Sequence, residues 1–211
     1  MPRPRATQTH SEATTRAVEV FASDAIGTVL ETDRLLLRPA LSADTKSLQS
    51  AIAALVATGE TASGVFFPGE QVAAIVKRQL ELTAKGVRTG CALRRAIFDR
   101  AAPDTILGCC NLTSIERGLE WYAELAFWIV PGARGLGFAH EACAAVVQHA
   151  LEDLPQGLGV SSVRAYVQPD NDGAQRMLSG IGFDRRTTQC EHLSTGGQHL
   201  PHELWTKGVS A

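Results

Sequence analysis

The sequence predicts an α/β (α+β) domain: a mixed, largely antiparallel sheet of six to seven strands flanked by helices. Two observations lead there. Three strand-like runs follow one another with only turn residues between them, which makes an antiparallel meander. The third run then leads through a helical stretch into another strand, and a crossover of that length makes the two strands parallel and the crossing right-handed. With 211 residues the chain can bury a self-sufficient core.

The elements follow in order. Residues 1–30 are rich in Thr, Ala, Ser and Arg without periodicity and are read as a flexible N-terminal arm, with a single domain over 31–211. Leu35-Leu36-Leu37 between two arginines is a short β-type run stopped by Pro39. Ser42-Ala43-Asp44 opens a helix whose Leu48, Ile52, Leu55 and Val56 share a face. Val72, Ile75, Val76 and Leu80 mark a second helix over 69–85, with Gly86 at its end. Between them, 61–69 is a loop carrying Phe66 and Phe67. The meander strands are 91–98, 106–113 and 120–130, the last stopped by Pro131-Gly132. A helix follows over 139–151, then a strand over 161–167, a short helix over 172–179, and strands over 183–191 and 200–207.

Composition excludes several classes. Lysine plus arginine (20) nearly balances aspartate plus glutamate (22), which argues against a nucleic-acid partner. No apolar run is long enough to span a membrane, and no apolar stretch follows the N-terminal arginines, so the expected place is the cytoplasm. The five cysteines are odd in number and lack C-x-x-C spacing. They are read as free thiols, and no metal is expected.

The informative segment is Pro131-Gly132-Ala133-Arg134-Gly135-Leu136-Gly137-Phe138-Ala139-His140-Glu141-Ala142, a turn from strand into helix. The first amides of a helix have no internal acceptor and sit at the positive end of its dipole. Glycines let the main chain approach a bulky anion, so a phosphate or pyrophosphate is the natural guest. A dinucleotide fingerprint would need glycine where His140 stands, and the P-loop G-K-[ST] is absent. Arg134, Gly137 and Ala139 fit R-x-x-G-x-A, but glycines that merely make a tight turn fit this loop about equally well.

Four motifs together carry a resemblance. They are Thr32-x-Arg34-Leu35 running to Arg38-Pro39, Glu124-x-x-Phe127-Trp128-x-Val130-Pro131, the glycine turn, and Pro169-x-Asn171-x-x-Ala174 running to Gly182-Phe183. Over about 31–207 the chain resembles the GNAT superfamily of acyl-CoA-dependent N-acyltransferases, and more narrowly its RimJ/RimL-like branch. The resemblance implies a central pair of parallel strands that splay apart to admit the thioester of acetyl-CoA. It implies that the diphosphate lies on the amides of Arg134, Gly135, Leu136, Gly137, Phe138 and Ala139. The pantetheine arm would run beside Phe127, Trp128, Ile129 and Val130 and meet Asn171, which also suits a helix N-cap. Backbone N–H near Trp128 to Val130 would stabilise the oxyanion.

The implied reaction is direct attack of a primary amine on the thioester. The acceptor is a small molecule or a protein N-terminus. At neutral pH, deprotonating a lysine amine costs about 4.6 kcal/mol and an α-amine about 1–1.4 kcal/mol, a mild preference for the latter. Glu124 is the candidate base, sharing a strand face with Tyr122, Ala126, Trp128 and Val130. A structural carboxylate is the competing reading of it. Relatives often carry a hydroxyl where Ala174 or Leu178 stands, able to protonate the departing thiolate. Tyr122 and Ser179 are substitutes here, although a thiolate can leave unaided. Glu141 is read as structural and His140 as a surface residue. Phe66, Phe67, Glu70, Glu191 and His192 could line the acceptor mouth. A monomer or homodimer is expected. The alternative is a catalytically idle acyl-CoA-binding sensor, favoured by the missing hydroxyls and opposed by Glu124. A dinucleotide oxidoreductase would instead bind NAD(P).

Overall fold

The computed structural model describes residues 27–59, 70–186, 191–195 and 198–209. The expectations for residues 1–26, for Phe66 and Phe67, for Cys190 and for the side chains of Glu191 and His192 lie outside the described residues. Among the described residues there are nine strands. They are β1 (Leu30–Glu31), β2 (Leu35–Arg38), β3 (Leu93–Asp99), β4 (Ala102–Arg117), β5 (Trp121–Ile129), β6 (Ser162–Val167), β7 (Asp184–Arg185), β8 (Glu191–Thr195) and β9 (Gln198–Gly208). The helices are α1 (Thr45–Val56), α2 (Val72–Thr89), α3 (Phe138–Leu151) and α4 (Asp172–Gly180), with single 3-10 turns at Ser42–Asp44 and Pro131–Ala133.

The sheet runs in the order β1-β2-β3-β4-β5-β6-β9-β7, with β8 also paired to β9. Its neighbours are antiparallel except β5 and β6, which are joined by the α3 crossover. That parallel register holds only for Tyr122↔Ser162, Ala123↔Val163 and Glu124↔Arg164. Past Glu124 and Arg164 the two strands continue to Ile129 and Val167 without pairing, so the sheet opens at its centre.

Alternation along the strands sends side chains to two cores. On one face Leu35, Leu37, Ile97, Cys110, Leu112, Leu125, Ile129 and Val163 pack with Ala142, Cys143, Val146 and Val147 of α3 and Leu178 of α4. On the other, Ala96, Phe98, Ile106, Cys109 and Trp128 pack under Leu48, Ile52 and Leu55 of α1 and Ile75 and Val76 of α2. α3 and α4 thus pack on one face of the sheet and α1 and α2 on the other.

Three expectations need correction. The second helix does not stop at Gly86. It runs to Thr89, and Gly90, in the left-handed region (φ 70°), ends it by donating its N–H to the Gly86 carbonyl at 2.9 Å. The strand expected over 183–191 is two strands. β9 is 11 residues long, and β7 pairs with its Trp205 and Thr206 while β8 pairs with its outer half, from Gln198 to His202. Finally, the sheet begins at Leu30, inside the stretch read as the arm, through the pairs Leu30↔Leu37 and Glu31↔Leu36.

Candidate active site

The central gap leads into a cleft of about 1050 Å³. Its walls are the ends of β5 and β6, the glycine turn and the start of α4, and Leu55 of α1 and Gly59 just past that helix reach its far side. Of the residues expected to hold a coenzyme, Phe127, Trp128, Ile129, Arg134, Gly135, Gly137, Phe138, Ala139 and Asn171 line it. Val130 and Leu136 do not.

The edge of β5 explains which backbone groups face the gap. Successive residues of a strand turn their N–H and C=O to opposite edges. Val130 donates to the Leu107 carbonyl at 2.8 Å, so the even-numbered residues face β4. The Trp121 carbonyl accepts from the Ser161 amide at 2.7 Å, so the odd-numbered residues face β6. Beyond Glu124 there is no β6 backbone to meet them, and the N–H and C=O of Phe127 and the N–H of Ile129 border an open strand edge, while the Ile129 carbonyl accepts from Arg134 Nε. This narrows the expectation for the pantetheine wall to Phe127 and Ile129. The Val130 amide is already committed to β4 and is no oxyanion donor.

The turn itself is built from the 3-10 turn Pro131–Ala133, then Arg134, then Gly135 (φ 75°) and Gly137 (φ 82°). Gly137 is the N-cap of α3 and supplies no side-chain cap. The amides of Gly135, Leu136, Gly137, Phe138 and Ala139 take no intrachain acceptor among the described residues. Arg134 folds back, its Nε donating to the Ile129 carbonyl at 3.2 Å. The turn thus presents a run of donors at a helix N-terminus, an arrangement that favours an anion.

A bracket behind the turn fixes it. Glu141, in the first turn of α3, accepts from the Thr32 hydroxyl at 2.5 Å, the Arg34 amide at 3.0 Å and Arg34 Nε at 2.7 Å. The Arg34 guanidinium also donates to the Leu136 carbonyl at 2.9 Å and lies 4.5 Å from the centre of the Phe138 ring. Burial works to raise the Glu141 pKa, but the Thr32 and Arg34 donors outweigh it and hold the carboxyl below its ordinary value. The T-x-R opening motif therefore serves as the clamp on the glycine turn, and the structural reading of Glu141 acquires its partners.

Asn171 caps α4, its side-chain oxygen accepting from the Ala174 amide at 3.0 Å. Its amide NH₂ remains available to the cleft, so the cap and the coenzyme contact are compatible. Ala174 and Met177 face the cleft, whereas Leu178 is fully buried in the core and Ser179 is exposed outside the lining. His140 is exposed at the cleft edge, its ring against Gly180.

The two catalytic candidates lie deeper. Tyr122 belongs to the paired part of β5 and β6, where the sheet is closed, and its ring supports Arg164 at 3.8 Å. Glu124 stands on the last paired rung, immediately below the gap, and accepts from the Ser114 hydroxyl at 3.1 Å. Neither lines the cleft. The cleft's tyrosine is Tyr166 of β6, which sequence reading missed. Its signal was present, because two steps past the last paired residue, Arg164, put it on the same face as Glu124 and Trp128.

Cys109, Cys110 and Cys143 are free and buried, and burial pushes the Cys109 thiol up to about 12. Among the described residues no group of three or more His, Cys, Asp or Glu side chains could hold a metal, and no helix is long and apolar enough to cross a membrane.

Residues 34–184 match the acetyltransferase (GNAT) domain family. No curated protein sequence matches the chain. Among solved structures it is similar to the ribosomal-protein-S5-alanine acetyltransferase of Vibrio fischeri, at 15% identity and a TM-score of 0.72 over 86% of this chain and 96% of that one. It is also similar to Mycobacterium smegmatis RimJ in complex with CoA-disulfide, at 18% identity and a TM-score of 0.68 over 83% and 82%. A third is the spermidine N-acetyltransferase of Vibrio cholerae in complex with CoA and spermine, at 17% and 0.65 over 84% and 96%. At these identities the likeness is one of fold.

Proposed function

Because the chain belongs to the acetyltransferase (GNAT) family, we propose that it moves an acetyl group from acetyl-CoA to a primary amine by direct attack. The observation that carries this is the run of unclaimed amides from Gly135 to Ala139, which opens into the same cleft as the free edge of β5. The diphosphate of acetyl-CoA binds those amides, where both the helix dipole and the missing acceptors favour it. The pantetheine arm adds to the β5 edge at Phe127 and Ile129 as an extra strand would, and Asn171 meets it from α4.

The amine approaches from the α1–α2 face. Its nitrogen forms the new C–N bond at the thioester carbon, the C–S bond breaks, and the leaving thiolate takes up the proton that the nitrogen sheds as the amide forms. The ammonium must first lose a proton, and Glu124, on the rung below the gap, takes it through a bridging water. Tyr166 replaces Tyr122 as the hydroxyl nearest the reaction. The acceptor is a small amine or a protein N-terminus, and similar structures are named as acetyltransferases of ribosomal-protein-S5 alanine and of spermidine. The buried, free thiols suit a reducing compartment such as the cytoplasm.

Thiol release from acetyl-CoA, followed with a panel of amines, tests the proposal. Release that depends on the acceptor is the expected result, and Glu124→Gln should lower kcat about tenfold or more while CoA affinity is kept. CoA binding without release on any acceptor would favour the idle sensor. An unchanged rate in Glu124→Gln would remove the carboxylate as base.

A further inference from the structure

The face of the sheet under α1 and α2 carries a charge that the reaction above does not use. Arg94 of β3 points to that face with Ala96 and Phe98, and it is half-buried. Its guanidinium makes no hydrogen bond or ion pair among the described residues, while the neighbouring cations Arg38, Arg78 and Arg164 are each matched to a carboxylate. A half-buried guanidinium without a partner has lost water and gained nothing in return. Arg78 of α2 is close enough to repel it. Burial first, and that repulsion, push its pKa down. Glu70 is held by Arg78, at 2.7 Å and 3.2 Å, and so does not serve Arg94.

Register ties this cation to the gap. Arg94 is paired with Asn111, and Asn111 with Ala126, which lines the cleft. Continuing the β5–β6 register by two residues brings Tyr166 to the level of Ala126 on the far side of the gap. One row across the sheet therefore reads guanidinium, short amide, methyl, open gap, phenol. Two strand spacings separate the backbones of Arg94 and Ala126 by about 10 Å. Ala126 is small, and Asn111 between the two is buried, its side-chain oxygen accepting from the Arg95 amide at 3.2 Å.

Building on the acetyltransferase reading, we propose that the acceptor is a primary amine bearing an anionic group, a carboxylate several bonds from the nitrogen, and that Arg94 holds this anion while the amine lies over Ala126 at the gap. A polyamine is disfavoured, because its second ammonium would be placed against Arg94. The carboxylate can belong to a small amino acid or to an acidic residue next to a peptide N-terminus.

The test uses three acceptors of matched chain, δ-aminovalerate, pentylamine and cadaverine, whose far ends are negative, neutral and positive. Two short peptides with an acidic or a basic second residue separate the two sources of the anion. With the native protein, kcat/KM should be about tenfold or more higher for δ-aminovalerate, or for the acidic peptide, than for its neutral or basic counterpart, mainly through KM. Arg94→Gln should abolish that preference and keep CoA affinity, while Arg94→Lys should retain part of it. Equal use of the matched acceptors, a preference for the cationic ones, or a preference that survives Arg94→Gln would overturn the assignment. Failure to bind CoA at all would instead count against the acetyltransferase reading, so the two failures are distinguishable. Should Arg94→Gln not fold, the native series and Arg94→Lys still decide.

Discussion

At the scale of single residues, the site depends on groups left without partners and on others that hold them in place. Gly137 shows both. Its φ of 82° belongs to the left-handed region, and a Cβ there would lie 3.4 Å from the Arg34 guanidinium. Gly137→Glu therefore strains the turn by about 1–3 kcal/mol, and it puts a carboxylate where a diphosphate would bind. Calorimetry with CoA should show affinity reduced by at least about tenfold with the fold retained, and undiminished affinity would contradict the diphosphate assignment. Glu124 illustrates the limits of reading residues singly. Strand alternation places it correctly on the α1–α2 face. Its partner, Ser114, belongs to a break in the β4 ladder, where φ is 48° and the pairing slips between Thr113 and Glu116. No local pattern in the sequence announces that slip.

At the scale of elements, hydrophobic period and turn chemistry made the meander, the α3 crossover and the short α4 legible from the residues alone. What escaped depends on length and on tertiary pairing. β4 extends beyond 106–113 at both ends because a different neighbour carries each end: Ala102 pairs with Asp99 of β3, and Glu116 and Arg117 pair with Tyr122 and Trp121 of β5. The glycine turn was legible, but its clamp was not, since Thr32 and Arg34 reach Glu141 from more than a hundred positions away. Gly108 gives the prediction at this scale. It faces Ile129 across the β4–β5 ladder, and an added Cβ would collide with the Trp128 carbonyl oxygen. The chains approach closely just where β5 must stay straight beside the gap. Gly108→Val should destabilise by about 3 kcal/mol or more, read as a lowered urea midpoint, because overpacking here displaces backbone rather than a side-chain tip. A midpoint within experimental error of the native one would show that β5 can yield.

For the whole molecule, the first strands, the crossover helix and the glycine turn form one mechanical unit through Glu141, and the proposed diphosphate site makes this a link between stability and binding. The Glu141 carboxyl is held below its ordinary 4.5 by the Thr32 and Arg34 donors, against the opposing effect of burial. Asp44 is likewise held below 3.8, first by its hydrogen bond with Arg38. A carboxyl whose folded pKa is depressed stabilises the fold fully above its unfolded pKa. That contribution is lost as the pH falls through the folded value. Acid should therefore weaken the protein from about 4.5 downward, and the loss through Glu141 falls on the bracket that shapes the Gly135–Ala139 amides. Glu141→Gln separates this from general acid unfolding. At neutral pH it should cost about 1–3 kcal/mol, since the Arg34 guanidinium loses its carboxylate, and it should weaken CoA binding. Between neutral pH and the acid range its stability should fall less steeply than that of the native protein, because one linked proton is gone. Urea unfolding across that range, with CoA affinity measured on the same samples, checks the coupling. A variant with native acid sensitivity would detach Glu141 from it, and one that lost stability while keeping CoA affinity would show that the turn holds its shape unaided.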